Sequence, residues 1–312
     1  MIPRSPPSLP VAAGRWKFDE PMMAIFKQWL RRALVLAVAV MPLAASAGLP
    51  GWVTRGERLS YKVYLWGFPA GGAEFYYAPG HAPHPHEYRI IARLWTAGGM
   101  GHLFRVRDRV QVEGVQDMAG HRLFLTRKFY QHLHEGHYRA NRVVTYDRRQ
   151  GKTVFVNRRA PGSKPETSKL LAGMRDMFSA LYYLRATVKD AQVGRSFTLP
   201  VHDLTHSYRL QVAVVRREQL NTALGPVQTL LVRPRAHELG SRKAAQGDLS
   251  DDLRIWVTDD ARRLPVRLQM ALSVGSFTAD LVSAGPADAP SHAPADLPAV
   301  GPLGGSASGG GS

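Results

Sequence analysis

From Phe104 to Glu113 the chain reads FRVRDRVQVE, and apolar and polar residues exchange places along nearly all of it. A period of two suits a β-strand with one wet face and suits no helix. Phe104, Val106, Val110 and Val112 then point inward, with Arg105, Arg107, Arg109 and Gln111 pointing out. The same alternation runs through LSYKVYLW, where Leu59, Tyr61, Val63 and Leu65 share a face, and through AEFYY and EYRIIARLW. It returns in HRLFLTRKFYQHLH, NRVVTYD, KTVFVN, SFTLPV, SYRLQVAVV, PVQTLLVRP, LRIWVTD, LPVRLQMAL and SFTADLV. Turn-forming stretches such as GFPAGG, Asp147 to Gly151 and Asp259 to Arg263 separate these runs. Short strands at this spacing predict antiparallel pairing rather than βαβ units. The expected fold is mainly β: a single antiparallel curved sheet or half-barrel of about 11–13 strands around one packed α-helix.

The helix is expected in KLLAGMRDMFSALYYLRATV, which carries Leu170, Met174, Phe178, Leu181 and Leu184 or Arg185 at helical spacing. Thr167 or Ser168 can cap its start. Asp176 and Ser179, three apart, read as a helix-start capping contact rather than as part of a catalytic group. GGMGH (98–102) lies between strands and reads as a turn, not a phosphate loop.

Residues 1–47 are set apart from the fold. Lys27, Arg31 and Arg32 precede the apolar run Ala33 to Met41, and Ala45-Ser46-Ala47 supplies small residues for cleavage. This is the pattern of a Sec-type signal peptide cut after Ala47, with the natural start at Met22 or Met23, and it places the protein in the periplasm. The apolar run is shorter than the about 20 residues that span a bilayer. The mature β-rich domain is expected over 48–283, followed by a disordered Ala/Pro/Gly/Ser-rich tail over 284–312. There is no cysteine, so disulfide scaffolds and thiol chemistry are both excluded. The net charge is +17. Residues 1–47 hold six Lys/Arg and two Asp/Glu, which leaves +13 on the mature part. An exported basic protein meets anionic envelope components rather than nucleic acid.

Three stretches in this order resemble the exported bacterial family called domain of unknown function 3108. GERLSYKVYLWGFPAGGAEF (56–75) is similar to its opening strand, Gly-containing turn and second strand. RDMFSALYYLR (175–185) is similar to its helix with an Asp-x-x-Ser start, here Asp176 and Ser179. IWVTDDARRLPVRLQMALSVGSFTADL (255–281) is similar to its closing strand, acidic turn and hairpin. The resemblance implies a β-rich exported domain and no established activity. The closing hairpin also resembles those of periplasmic lipoprotein carriers, incomplete barrels that hold acyl chains, and this is an analogy of fold.

Chemistry is sparse. HLHEGH (132–137) lies at a strand end, where His132 and His134 share a face about 7 Å apart, and His137 follows the turn residue Gly136. That set could ligate zinc, but Arg127 and Lys128 flank it, and it is not HExxH on a helix. HAPHPH (81–86) reads as an exposed loop. The Asp259-Asp260 pair suits a hairpin turn without any further role. No G-x-S-x-G elbow occurs, and no catalytic residue, metal or other cofactor is assigned. The apolar face is left as the candidate. Tyr61, Phe104, Phe129, Met174, Phe178 and Trp256 can line a cavity for a lipid-like or amphipathic ligand, with Arg105, Arg107 and Arg109 as a cationic rim. Two other readings stand beside it: a metal-binding or hydrolytic protein using His132, His134 and His137, and a structural protein docking on an anionic envelope component.

Overall fold

The computed structural model describes residues 49–117, 122–160, 162–240, 253–271 and 275–297. The signal-like segment lies outside them, as do residues 298–312 of the tail. Along the chain come α1 (Gly51–Arg55), β1 (Glu57–Leu65), β2 (Phe68–Pro79), β3 (Glu87–Thr96), α2 (Gly98–Leu103), β4 (Arg107–Asp117) and β5 (Arg122–Glu135). Then follow β6 (Tyr138–Asp147), β7 (Lys152–Asn157), β8 (Glu166–Lys169), α3 (Met177–Thr187), β9 (Ser196–Asp203), β10 (His206–Thr222) and β11 (Gly225–Glu238). The chain ends in β12 (Leu253–Thr258), β13 (Pro265–Ala271) and β14 (Ser276–Gly285).

All strands belong to one 14-stranded antiparallel sheet of order β8-β7-β6-β5-β4-β3-β2-β1-β14-β13-β12-β11-β10-β9. Each half is a meander, and the halves join where β1 pairs with β14, as in Leu65 opposite Phe277. The sheet does not close. Its edges are β8 and β9, and the chain between them carries α3. The backbone just before α3 covers part of the β9 edge, with His202 N donating to Arg175 O at 2.9 Å. A covered edge cannot template pairing with another chain.

Thirteen of the strands fall in the alternating runs. The additional one, β8, occupies residues expected to cap the helix. The helix itself starts later than the periodicity suggests. Gly173 has φ +69°, a left-handed conformation that ends any helix begun upstream, and Arg175 is taken by β9. Asp176 is the true N-cap, its carboxylate accepting from Phe178 N (2.8 Å) and Ser179 N (3.1 Å). Residues 98–103 form the short helix α2 rather than a turn.

The concave face of the sheet is wrapped around α3. Seven of its eleven residues are buried and none of the other four is exposed. Met177, Ala180 and Leu184 pack with Tyr61, Leu210, Trp256 and others from β1 and β9–β14. Met174 and Tyr182 pack with Tyr77, Tyr88, Phe124, Phe129 and Val144 of the first half. Trp52 of α1 joins an aromatic cluster there, its ring 5.5 Å from Tyr182 and 5.7 Å from Tyr77. The tail also departs from expectation. Residues 284–285 complete β14, and Ser291 Oγ donates to Glu74 Oε2 (2.8 Å) while Asp296 accepts from Arg105 (2.6 Å) and Arg107 (2.9 Å). Composition marks such a segment as loose, whereas side-chain partners on the outer face hold it.

Candidate functional site

The helix ends at Thr187, inside the curled sheet, and the space beyond its last turn is not completely filled. An apolar slot of about 60 Å³ opens there. Leu181, Leu184, Val188 and Ala191 form one wall, and Phe197, Val212, Val214, Val232, Ile255 and Val257 of β9–β12 form the other. Its accessible walls are wholly apolar, although Arg185 and Arg263 border it. The valines leave the room. They are the inward-facing residues of their strands, shorter than the aromatic residues that meet α3 elsewhere.

Both arginines are tied to structural duties. Arg185 makes a two-pronged ion pair with the buried carboxylate of Glu57, one arm to Oε1 and the other 2.9 Å from Oε2. Its Nε donates to Arg263 O (3.1 Å), and the guanidinium lies 4.5 Å from the Trp52 ring centroid. Burial alone would lower the pKa of Arg185, but the Glu57 carboxylate outweighs it and holds the group above its ordinary value. Arg263 donates to Asp259 Oδ1 (2.9 Å) and to Lys189 O (3.2 Å), which fastens the segment after α3 to the β12–β13 turn. The slot therefore has one wall held by side-chain bonds rather than by sheet pairing.

None of the six aromatic and methionine residues read from the sequence lines this slot. Tyr61 is buried, with its hydroxyl donating to Pro265 O (2.8 Å). Phe129 and Met174 lie in the core of the first half, and Trp256 in that of the second. Phe178 is half-buried, 5.9 Å from Phe75, and Phe104 is half-buried at the sheet's end. Tyr61 and Trp256 share a core cluster with Met177 and Leu184 of α3, and Phe129 and Met174 share one with its Tyr182. At about 60 Å³ the slot itself is far smaller than the about 300 Å³ of an ordinary ligand pocket.

The histidines of HLHEGH face outward. His132 and His137 are exposed and His134 is half-buried, while Gln131, Leu133 and Glu135 of the same strand are buried. Burial lowers the pKa of His132, and Arg109 and Arg158 lower it further. His134 is lowered by burial and then by Arg139, Arg105 and Arg107. The neighbouring arginines oppose a bound dication. Among the described residues no three His, Asp or Glu side chains converge into a metal-holding group. The acidic turn is likewise occupied: Asp260 accepts from Arg262 N (3.0 Å) and Arg263 N (3.2 Å). Of the cationic rim, Arg105 and Arg107 share Asp296, and Arg109 donates to Gln111 Oε1 (2.6 Å).

One interior carboxyl group beside the histidine stretch escaped the sequence reading. Asp108 is buried on β4, where one oxygen accepts from His134 N (2.9 Å). Burial, and then the nearby carboxylate of Glu135, raise its pKa well above the usual range. The signal was present, since Asp108 occupies the inward parity between Val106 and Val110.

No curated protein matches the chain. Among solved structures, a β-barrel-like protein of domain of unknown function DUF1849 from Brucella abortus is 13% identical, with a TM-score of 0.48. That match covers 75% of this chain and 98% of the other. A protein described as a candidate lipoprotein from Parabacteroides distasonis is 9% identical over 75% of this chain and 96% of its own, with a TM-score of 0.28. The sequence profile of one family, described as protein of unknown function (DUF3108), matches residues 60–282, from the first strand through the last, and the chain belongs to that family.

Proposed function

We propose that this is a non-catalytic binding module of the cell envelope, exported by its N-terminal segment, which takes the alkyl end of an amphipathic ligand into the slot beside the C-terminus of α3. The observation that carries the reading is the slot's wholly apolar lining beside the C-terminal end of α3. A polar substrate would find no hydrogen-bonding partner on those walls. About 60 Å³ accommodates a chain end, not a whole lipid. Burying three or four methylene groups there contributes about 3 kcal/mol. Affinity tighter than about 1 mM therefore needs either headgroup contacts or a yielding wall. Residues 188–191 are the wall suited to yield, because they stand outside both α3 and the sheet.

The test is a fluorescence titration of the protein with 11-(dansylamino)undecanoic acid, alongside the Ala191→Phe variant with its unfolding midpoint measured in parallel. The expected result is a saturable blue-shifted emission that a folded Ala191→Phe protein loses. A rise that never saturates, or one that survives the substitution, removes the reading.

A further inference from the structure

A second concavity lies on the other side of the sheet. Where β2 ends and β3 begins, a cleft of about 360 Å³ is bordered by Arg55, Tyr76, His81, His84 and Arg89, and by Ala287 of the segment that follows β14. Its size lies within the range of small-molecule sites. Its lining holds two arginines and two histidines, and no carboxylate lines it.

The backbone fixes these groups. Arg55 ends α1 and is followed by Gly56 at φ +77°, where a Cβ would press on Tyr77 O at 2.7 Å, so α1 is set tightly against β2. The loop carrying the histidines is two consecutive turns, His84 N to His81 O (2.6 Å) and Glu87 N to His84 O (3.1 Å). Gly80 N closes its base on Glu87 O (2.6 Å). A Cβ on Gly80 would collide with His84 O, so the loop is drawn close to its own base. Arg89 lies on β3 and is almost entirely buried, while Arg55 is exposed at the opposite border.

The surrounding carboxylates are engaged elsewhere. Glu87 binds Arg127 at 2.6 Å. Glu74 is held by Arg58 (2.8 Å), Arg93 (3.5 Å) and Ser291 Oγ. Glu113 reaches Arg89 only at 4.0 Å and also accepts from Gln111 (2.7 Å). Arg58 adds a further cation at the back, its guanidinium 4.9 Å from the Tyr76 ring centroid.

From this arrangement we infer a binding site for a phosphate-bearing anion, a phosphomonoester or diphosphate. The exposed Arg55 guanidinium suits a phosphate oxyanion, to which it is able to donate two parallel N–H bonds. The imidazoles supply further N–H donors above it. The partly enclosed cleft weakens the competition from water and salt that defeats isolated surface charges. The site is independent of the apolar slot, which lies on the concave side with α3.

The test is isothermal titration calorimetry of the full chain with pyrophosphate at moderate salt, together with co-sedimentation on vesicles containing phosphatidic acid, a lipid phosphomonoester. Five proteins are compared: the parent, Arg55→Gln, the double variant His81→Ala/His84→Ala, and Arg216→Gln and Ala191→Phe as remote controls. Arg55, His81 and His84 are exposed, so their removal leaves folding intact. The expected result is saturable binding, weakened tenfold or more by Arg55→Gln and by the histidine double variant. Arg216→Gln and Ala191→Phe bind as the parent does. Binding of pyrophosphate assigns the site to a soluble phosphate compound. Arg55-dependent binding of vesicles alone assigns it to a lipid headgroup. No saturable binding of either, or binding indifferent to both cleft variants, overturns the proposal.

Discussion

Replacing Glu57 with glutamine keeps the shape of the side chain and removes its charge, which isolates a deeply buried ion pair. The side chains of Arg185 and Glu57 are 2% and 6% exposed. Without the carboxylate, the guanidinium keeps the carbonyls of Arg263 and Arg262 and the faces of Trp52 and Tyr182, none of which carries a full negative charge. A buried charge stripped of its partner costs about 3–5 kcal/mol. A domain has only about 5–15 kcal/mol in total. Glu57→Gln should therefore lose about a fifth or more of the stability in urea unfolding at pH 7. Arg185→Met should lose a comparable amount, because it leaves Glu57 buried instead. The double variant should be more stable than the sum of the two losses by at least about 2 kcal/mol, since neither charge is then orphaned. Additive losses, or single losses under about 1 kcal/mol, would refute the claim that this pair anchors α3 to β1.

Three other outcomes follow from the same structure. His202 is buried with Nε2 donating to Leu204 O (2.9 Å) and Nδ1 beside Ser207 Oγ (3.0 Å), and burial pushes its pKa down to about 4. An unfolded imidazole titrates near 6.5, so the unfolded state binds more protons between these values. Stability should be complete above about pH 6.5 and fall by about 3 kcal/mol toward pH 4. His202→Gln should flatten the pH 7 to 5 part of the urea-midpoint profile, and an unchanged slope contradicts the assignment. Asp176→Ala removes the cap of α3 and the acceptor for Thr126 Oγ1 (2.5 Å), and should cost about 2 kcal/mol by urea unfolding. Gly275→Ala should lower the thermal midpoint, because Gly275 has φ +76° and a Cβ there would strike the Trp66 ring.

The sheet was legible because each strand has one wet and one dry face, and thirteen strands announce themselves in that way. β8 did not, since ETSK buries almost nothing and is a strand only through its pairing with β7. The start of α3 was misplaced for a different reason. Leu170 and Met174 do continue the helical spacing, but they are buried from an extended segment, and burial rather than helicity is what the spacing records. Asp176 with Ser179 was the better signal, because it reports a capping bond directly. The candidate sites were less legible still. The slot is formed by side chains that are too short, the cleft by a loop, a helix end and a tail segment distant in sequence. The slot leaves no local motif, and HAPHPH, read as an exposed loop, is the one local trace of the cleft.

The position of the slot follows from the size of the sheet. About eight strands enclose an interior that their own side chains can fill, and 16 to 18 leave a channel. A sheet of 14 strands curls to an intermediate width and needs an internal filler. A helix about 10 Å across supplies it. Such a filler works only along its own length. α3 has 11 residues and rises about 16 Å, whereas β10 has 17 residues and extends well beyond that reach. Past Thr187 the sheet must therefore fill its own centre. It does so with aromatics where they are available and incompletely where β10, β11 and β12 present valines and an isoleucine. Replacing Val212 or Val214 with leucine should close the slot and raise stability while reducing alkyl-chain binding. A structural defect and a binding site separate on that measurement, because filling a mere defect leaves ligand binding untouched.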